Sequence, residues 1–134
     1  MARRLIIDTG VLIASGRARA ELAAVIADDD DLVVAGITVA ELRTGIELAT
    51  EAHRAARSEF LVKLLETFPV EPYAVGTAEA HGRLLAHVHR TGTKRGAHDL
   101  IIAATAVATG RTILTTDRNA HFEDLPGVDC IVVS

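Results

Sequence analysis

Four carboxylates in this sequence stand beside short apolar segments, in positions where acids can bind a metal ion. They are Asp8 after LII, Glu41 soon after LVVAG, Asp99 at the start of LIIAATAVA, and Asp117 after TILTT. If these groups converge they repel, because two charges about 4 Å apart cost about 4 kcal/mol at an effective dielectric near 20. Raised pKa values or a bound cation would relieve that repulsion. Oxygen ligands without a His or Cys partner suit Mg²⁺, for which Mn²⁺ can substitute.

Each acid also has a structural interpretation when it is taken alone. Asp8 and Asp99 are suited to cap helix N-termini, and Asp117 is suited to a turn. Thr38 and Glu41 have the spacing of a capping box, with Thr at the N-cap and Glu at N3. The hypothesis of a site therefore depends on the whole set, which recurs at the expected strand ends.

The motif IIDTG at 6–10 has a second meaning, since Asp-Thr-Gly also forms half of an aspartic protease active site. Small proteases of that kind consist almost entirely of strands, whereas this chain is predicted to be mostly helical. Val11 and Leu12 follow the motif here, where those enzymes usually have Ala or Ser and then Asp. The protease interpretation is therefore disfavoured.

The order of elements indicates how the acids can meet. Short apolar runs predict strands, and segments with helical spacing predict helices between them. We expect strands at 5–7, 32–36, 69–73, 112–116 and 129–133, and helices at 9–27 with a break near Gly16, 38–49, 53–68, 74–90 and 99–110. Such alternation is typical of an α/β fold with a mostly parallel sheet covered on both faces. Ligands bind beyond the carboxyl ends of the strands in such sheets, and the four acids are expected there.

Length and composition predict one cytoplasmic domain spanning 1–134. The chain has 134 residues, 49% of them hydrophobic, and no linker-like stretch. Its single cysteine, Cys130, has no intrachain partner and is expected to be a buried, inert thiol in a reducing compartment. No apolar stretch approaches the roughly 20 residues of a membrane span, so we expect no membrane partner.

Charge argues against a protein that coats nucleic acid. The formal net charge is −4, aromatic residues make up 3% and there is no Trp, so stacking of single strands is not expected. A nuclease needs only an acidic pocket and local basic patches for phosphate. Candidates for such patches, each of which can also be a solvated surface charge, are Arg3, Arg4, Arg17, Arg19, Arg43, Arg90, Lys94 and Arg95.

Four segments together resemble a known family. They are LIIDTGVLIA at 5–14, ITVAELRTG at 37–45, AHDLIIAATAVATG at 97–110 and ILTTDRNAHF at 113–122. In this order and spacing they resemble PIN-domain ribonucleases, specifically the VapC-type toxins of bacterial type II toxin–antitoxin pairs. The resemblance covers essentially the whole chain. It implies an α/β/α sandwich with a central, mostly parallel sheet, Mg²⁺-dependent endonucleolytic cleavage of RNA, a cognate antitoxin partner and a homodimer.

The resemblance also implies roles for individual residues. Asp8, Glu41, Asp99 and Asp117 match the acidic quartet of the family and would be the metal ligands and catalytic acids. Thr115 matches its small hydroxyl two residues before the last acid, where it orients Asp117 or a water. Phe122 matches a packing position, and Asn119 can reach a metal through water. Gly10 departs from the family, which often has Ser or Asn there, and is not counted as a site residue.

Other functions remain open from the sequence. A receiver-type signalling domain has similar length and acids at the strand edge, but it normally carries adjacent acids after the first strand and a Lys before the last helix. Asp8 is alone here, and no Lys follows Lys94. A catalytically silent PIN domain that binds RNA or protein usually loses acids, whereas all four are present. The target, whether transfer RNA, ribosomal RNA or even DNA, is not encoded in any feature of the chain.

Overall fold

The structure, a computed structural model, describes residues 2–14 and 16–133, without the side chains at 16–18. Over these residues strands alternate with helices, and two short 3₁₀ turns, Arg118–Ala120 and Phe122–Asp124, precede the last strand. The elements in chain order are β1 Arg4–Ile7, α1 Thr9–Leu12, α2 Gly16–Val25, β2 Asp31–Ala35, α3 Gly36–Leu48, α4 Glu51–Thr67, β3 Val70–Glu71, α5 Val75–Thr91, α6 Ala97–Thr109, β4 Thr112–Thr115 and β5 Cys130–Val132.

The strands form one sheet in the order β3-β2-β1-β4-β5 within the described residues. Every pairing in it is parallel, so the predicted mostly parallel sheet is in fact wholly parallel there. Ile6 in the central strand β1 aligns with Val33 of β2 and Ile113 of β4. The strands read as continuous apolar runs because helices cover both faces of the sheet.

The two faces of the sheet belong to two separate hydrophobic clusters, as the alternation of side chains along a strand requires. Ile6, Val33 and Ile113 point to the face covered by α5 and α6, where Leu84 and Ile102 pack. Their neighbours along the strands, Ile7, Val34 and Leu114, point to the opposite face and pack with Val11, Leu22 and Leu64 of α1, α2 and α4. The predicted α/β/α sandwich is confirmed.

Three helices, α3, α4 and α6, begin two residues earlier than the sequence predicted. Helix α3 begins at Gly36, directly after β2, with Ala35 at the N-cap and no side-chain cap. The predicted capping box at Thr38 is therefore wrong, and Thr38 is fully buried inside the helix. Helix α6 begins at Ala97 with Gly96 at the N-cap, so Asp99 lies in its first turn and is not the cap.

Other expectations are confirmed in outline. The segment 9–27 is interrupted as predicted, with α2 beginning at Gly16. Phe122 is 1% exposed and packs in the core. In α4, Leu61 and Leu64 are buried, whereas Phe60 and Leu65 remain 39% and 46% exposed.

In the part of the chain that the structure describes, no helix combines the length and apolar character needed to span a membrane.

Candidate functional site

The carboxyl ends of β1, β2 and β4 lie side by side in the middle of the sheet, and the segments that follow them meet at this edge. Asp8 comes directly after β1, and Asp117 comes two residues after the end of β4. Glu41 lies in the second turn of α3, which continues from β2 without a loop. Asp99 lies in the first turn of α6. We call these four side chains the acidic quartet.

Asp8 is the most enclosed member of the quartet, with 7% of its surface exposed. Its Oδ1 accepts a hydrogen bond from the Thr9 backbone N–H at 2.9 Å, and its Oδ2 accepts one from the Thr115 hydroxyl at 2.8 Å. Burial raises the pKa of this carboxyl, and the charges of Glu41 and Asp117 raise it further, while the two hydrogen bonds act in the opposite direction. The ionised form is thus held in an unfavourable environment.

Thr115 links two members of the quartet. Its side chain is fully buried. Its hydroxyl donates to Asp8 and accepts the Asp117 backbone N–H at 3.0 Å. Asp117 in turn caps the first 3₁₀ turn, because its Oδ1 accepts the Asn119 N–H at 2.9 Å. With its hydrogen committed and no exposure, the Thr115 hydroxyl has the geometry of an orienting group and not of a nucleophile.

Asp99 is pressed against the start of its own helix. A Cβ built at Gly96 would lie 2.8 Å from Asp99 Oδ2, so glycine leaves the space that this carboxylate occupies. Burial raises the pKa of Asp99, and so do the charges of Asp8, Asp117 and Glu41, while His98 acts in the opposite direction. The quartet is therefore close enough for its members to destabilise one another's ionised forms.

Glu41 has two partners that sequence reasoning missed. The Thr9 hydroxyl donates to its Oε1 at 2.9 Å, and His98 Nδ1 lies 3.4 Å from its Oε2. His98 lies in the first turn of α6. The only sequence signal was adjacency, since Thr9 follows Asp8 and His98 precedes Asp99. Hydrogen bonds through Thr9 and Thr115 thus connect Asp8, Glu41 and Asp117, and Asp99 interacts with these three acids through its charge.

The tightest grouping of potential metal ligands among the described residues lies elsewhere. One ligand atom from each of His121, Glu123 and Asp124 falls within 4.8 Å of the others, whereas no three quartet members meet this spacing. All three side chains are exposed, and Glu123 is also 3.8 Å from the Cys130 thiol. Cys130 is half-buried, so the expectation of a buried thiol is wrong; burial and Glu123 raise its pKa, which disfavours the reactive thiolate. Exposed groups of this kind are common on protein surfaces.

The quartet nevertheless fits a hard divalent cation. Its donors are carboxylate oxygens, which Mg²⁺ and Mn²⁺ prefer. Burial first, and then the charges of the neighbouring carboxylates, raise the pKa values of Asp8 and Asp99, and a cation placed among these groups would favour their ionised forms.

Four of the eight predicted phosphate contacts, Arg3, Arg4, Arg43 and Arg95, have partners within the protein. Arg3 pairs with Asp30, and Arg4 donates to the Thr109 carbonyl, which places both at the opposite edge of the sheet from the quartet. Arg3 and Arg4 are therefore not placed to bind phosphate beside the quartet. Arg43 pairs with Glu47 on the exposed surface of α3.

Arg95 has a structural role. Arg95 donates to the carbonyls of Ala120 and His121 at 2.7 and 2.8 Å, and so fixes the segment after Asp117.

Three other residues discussed from the sequence are Arg17, Gly10 and Asn119. The side chain of Arg17 lies outside the described residues. A side chain at Gly10 would meet Thr116 Oγ1 at 3.2 Å. Asn119 contacts Asp117 through its backbone.

Comparison with known proteins places this geometry in context. The sequence model of the family described as "PIN domain" matches residues 5–128. The chain is 25% identical over 130 residues to Ribonuclease VapC of Rickettsia bellii, with 96% of each protein covered. A solved structure of VapBC-5 from Mycobacterium tuberculosis, described as a member of the VapBC family of toxin–antitoxin systems, has a TM-score of 0.81 and 29% identity over 97% of this chain and 98% of that one. VapBC2 of Rickettsia felis, bound to a promoter DNA fragment, has a TM-score of 0.85, 17% identity and coverage of 98% and 99%; at that identity it supports the fold alone.

Proposed function

This chain belongs to the PIN-domain family, and from that premise we propose that it is a Mg²⁺-dependent endoribonuclease, the toxin of a toxin–antitoxin pair. The observation that carries the proposal is the acidic quartet, which four separate segments bring to one edge of a parallel sheet. Both Asp8 and Asp99 have raised pKa values there. An arrangement that costs stability in this way is typical of a functional site. A receiver-type signalling domain is inconsistent with the family membership.

In this proposal the quartet holds the ion, and Mn²⁺ can substitute for Mg²⁺. Asp8 and Asp99 are the principal ligands, Asp117 completes the set, and Glu41 binds directly or through water. A divalent ion in such hydrolases makes a water more acidic and offsets the charge on the phosphate and leaving oxygen.

The remaining residues position these ligands. Thr115 fixes the rotamer of Asp8 and the backbone of Asp117, so that two ligands from different strands keep their relative placement. Thr9 and His98 contact different oxygens of Glu41 and hold it at the rim of the site. Gly96 leaves the room that Asp99 needs. Because the donors are preorganised in this way, less rearrangement is required when RNA arrives.

Two partners besides RNA belong to the proposal. The relatives include VapBC toxin–antitoxin complexes, and a cognate antitoxin that neutralises this chain is the corresponding partner. An apolar groove of about 420 Å³ between α2 and α4, lined by residues such as Leu22, Ile26, Phe60 and Phe68, is the kind of surface that a protein partner covers. A homodimer is also proposed, and the exposed Leu48 and Val62 are compatible with one. Transfer RNA and ribosomal RNA are the candidate substrates.

The test is cleavage of total cellular RNA by the antitoxin-free protein with Mg²⁺, with Mn²⁺ and with EDTA. We expect metal-dependent cuts at discrete positions, which would also identify the target. Asp99→Asn should abolish them with the fold intact, because it removes one ligand charge without changing shape. Asp124→Asn is the matched control: it makes the same change in the exposed group of His121, Glu123 and Asp124 and should cut like wild type.

The possible outcomes separate the alternatives. Cutting by Asp99→Asn at the wild-type rate contradicts the role of the quartet, and loss of cutting in Asp124→Asn alone would move the metal site to the exposed group. Metal binding by calorimetry without any cleavage favours a silent PIN domain that binds RNA or protein. Neither metal binding nor cleavage would assign the acids to capping and leave the family membership as a matter of fold.

A further inference from the structure

The cations of this protein are unevenly distributed. Residues 75–96, which comprise α5 and the loop that leads to α6, contain four Lys or Arg residues and one carboxylate, for a net charge of +3. The whole chain carries −4, so the remainder carries −7. A basic segment in an otherwise acidic protein concentrates positive potential on one side of the molecule.

Most cations of this segment are also unpaired. Among the side chains that the structure describes, Arg19, Arg83, Arg90 and Lys94 are the only Lys or Arg residues without a hydrogen bond or an ion pair. Three of these four belong to the basic segment. A cation without a partner keeps its full field toward solvent, and binding an anion there breaks no existing interaction.

These cations lie along a groove. Arg83, His87 and Arg90 are at positions i, i+4 and i+7 of α5, and therefore on one helix face. Together with Pro126 from the segment before β5, they line an open groove of about 750 Å³. Arg83 and Arg90 are about 10 Å apart along the helix axis, at 1.5 Å per residue. We call this surface the α5 groove.

The α5 groove points toward the acidic quartet. Helix α5 ends at Thr91 and α6 begins at Ala97, and the two helices pack together. A connection that short makes them antiparallel neighbours, so the C-terminal end of α5 lies at the same edge of the sheet as Asp99. Arg90 and then Lys94 therefore lead from the groove toward the quartet.

The lining of the groove fits a phosphate backbone better than a protein. Its side chains are Arg83, His87, Arg90 and Glu79, with Gly82, Ala86 and Pro126 between them. Large aliphatic or aromatic anchors, which carry most of the binding energy in protein interfaces, do not line it. Accumulated unpaired positive charge is the feature that binds nucleic acid backbones.

We propose that the α5 groove, with Arg83 and Arg90 as its cations and Lys94 at its end, is where the backbone of single-stranded RNA binds as the strand enters the acidic quartet. This inference rests on the proposed function, and it assigns the substrate-binding surface that the quartet alone lacks. The groove contacts phosphates and contributes affinity and orientation, while the choice of sequence lies elsewhere.

The test is the salt dependence of RNA binding. A fluorescently labelled single-stranded RNA of mixed sequence is titrated with protein carrying Asp99→Asn, so that it stays uncut, and the dissociation constant is measured by anisotropy at several salt concentrations. Each phosphate contact contributes about 0.7 to the slope of log K against log salt for a single strand. Arg83→Gln with Arg90→Gln should lower the slope by about 1.4 and weaken binding about 25-fold at 0.1 M salt.

Two single substitutions test whether the change in RNA affinity follows the charge of the α5 groove. Glu79→Gln removes the one carboxylate of the groove and should tighten binding. Lys63→Gln removes an exposed cation of α4 that pairs with Glu59 and should leave the slope unchanged. All are exposed positions, and melting temperatures serve to check the fold. Polyglutamate of equal charge should compete poorly with RNA for the groove.

The inference is overturned if the double variant keeps the wild-type slope, if Lys63→Gln lowers it equally, or if polyglutamate competes as well as RNA, since the surface would then bind acidic protein. These outcomes are independent of cleavage. If wild-type protein cuts RNA but the double variant keeps the wild-type salt slope, the proposed role of the α5 groove is wrong and the proposed nuclease activity stands. If RNA binding depends on the α5 groove but no metal-dependent cutting is found, the proposed nuclease activity is wrong and the proposed role of the groove stands.

Discussion

The Thr115 hydroxyl is the most constrained polar group at the acidic edge, and it can be tested by an isosteric change. Thr115→Val keeps the shape but leaves Asp8 Oδ2 without its donor and the Asp117 N–H without its acceptor. Leaving buried partners unsatisfied costs about 1–3 kcal/mol of stability. Losing a group that orients metal ligands typically lowers activity or metal affinity about 10–100-fold. Thr115→Ser, which keeps the hydroxyl, should restore most of both.

The measurements for Thr115 are chemical denaturation and Mg²⁺ binding by calorimetry, followed by the RNA cleavage rate. Wild-type Mg²⁺ affinity in Thr115→Val would show that the hydroxyl acts on stability alone.

Thr9 provides a second test at the residue scale, because its hydroxyl donates to Glu41 from a partly exposed position. Thr9→Val removes that hydrogen bond and little buried surface, so we expect the melting temperature to change by only a few degrees. The cleavage rate should fall about tenfold, which is the lower end of the range for losing a group that orients a metal ligand. Thr9→Ser should recover it. Equal activity of the Val and Ser variants would mean that Glu41 needs no positioning.

At the scale of elements, the first turn of α6 is shaped by the space that Gly96 leaves. Gly96→Ala would place a methyl group 2.8 Å from Asp99 Oδ2, and the carboxylate would have to move. We expect cleavage to fall at least tenfold, since sub-ångström placement of ligands governs such sites. The control is Gly76→Ala in the first turn of α5, where the new methyl meets nothing within 4 Å. It should leave activity unchanged and stabilise the fold by about 0.4–1 kcal/mol.

Cleavage rates and melting curves for the two Gly→Ala variants, measured side by side, decide this point. Full activity in Gly96→Ala would show that Asp99 tolerates displacement.

The elements themselves were predictable to within a few residues, and the reason is physical. Strands buried on both faces need continuous apolar runs such as LVVAG at 32–36, and helices between them need a different period, so the alternation is encoded locally. The start of α3 was missed because the Thr38 and Glu41 pattern imitates a cap, while the actual helix continues from β2. The two 3₁₀ turns were missed because Arg95, distant in sequence, holds them.

The candidate site was predictable as a set of acids, and its internal contacts were not. Asp8 and Asp117 follow apolar strands in the sequence, and parallel strands bring their carboxyl ends to one edge of the sheet, so the convergence of these acids is expected from the sequence. The hydrogen bond between Thr9 and Glu41 joins residues 32 positions apart. Such a pairing depends on how α1 and α3 are oriented above the sheet, and no local pattern carries that information.

At the scale of the whole molecule, the fold concentrates negative charge at one edge, and this should lower the stability of the metal-free protein. Asp8 and Asp99 have raised pKa values, so the native state binds protons more tightly than the unfolded state does. Stability from these groups is therefore highest below their unfolded pKa values and is lost as pH rises through the raised native values. Above those raised native pKa values the penalty is fully present.

In EDTA at neutral pH, Asp99→Asn should accordingly melt a few degrees higher than wild type, since about 1 kcal/mol corresponds to roughly 3–5 °C in a domain of this size. That difference should shrink as pH falls through the raised native pKa values, because the wild-type carboxyls then take up protons. Saturating Mg²⁺ should raise the wild-type melting temperature, because an ion that binds only the folded state stabilises it, and should raise that of Asp99→Asn much less. Differential scanning fluorimetry over a pH series, with and without Mg²⁺, measures all three effects. A variant that melts below wild type in EDTA would mean that Asp99 is a structural residue and that the quartet stores no electrostatic strain.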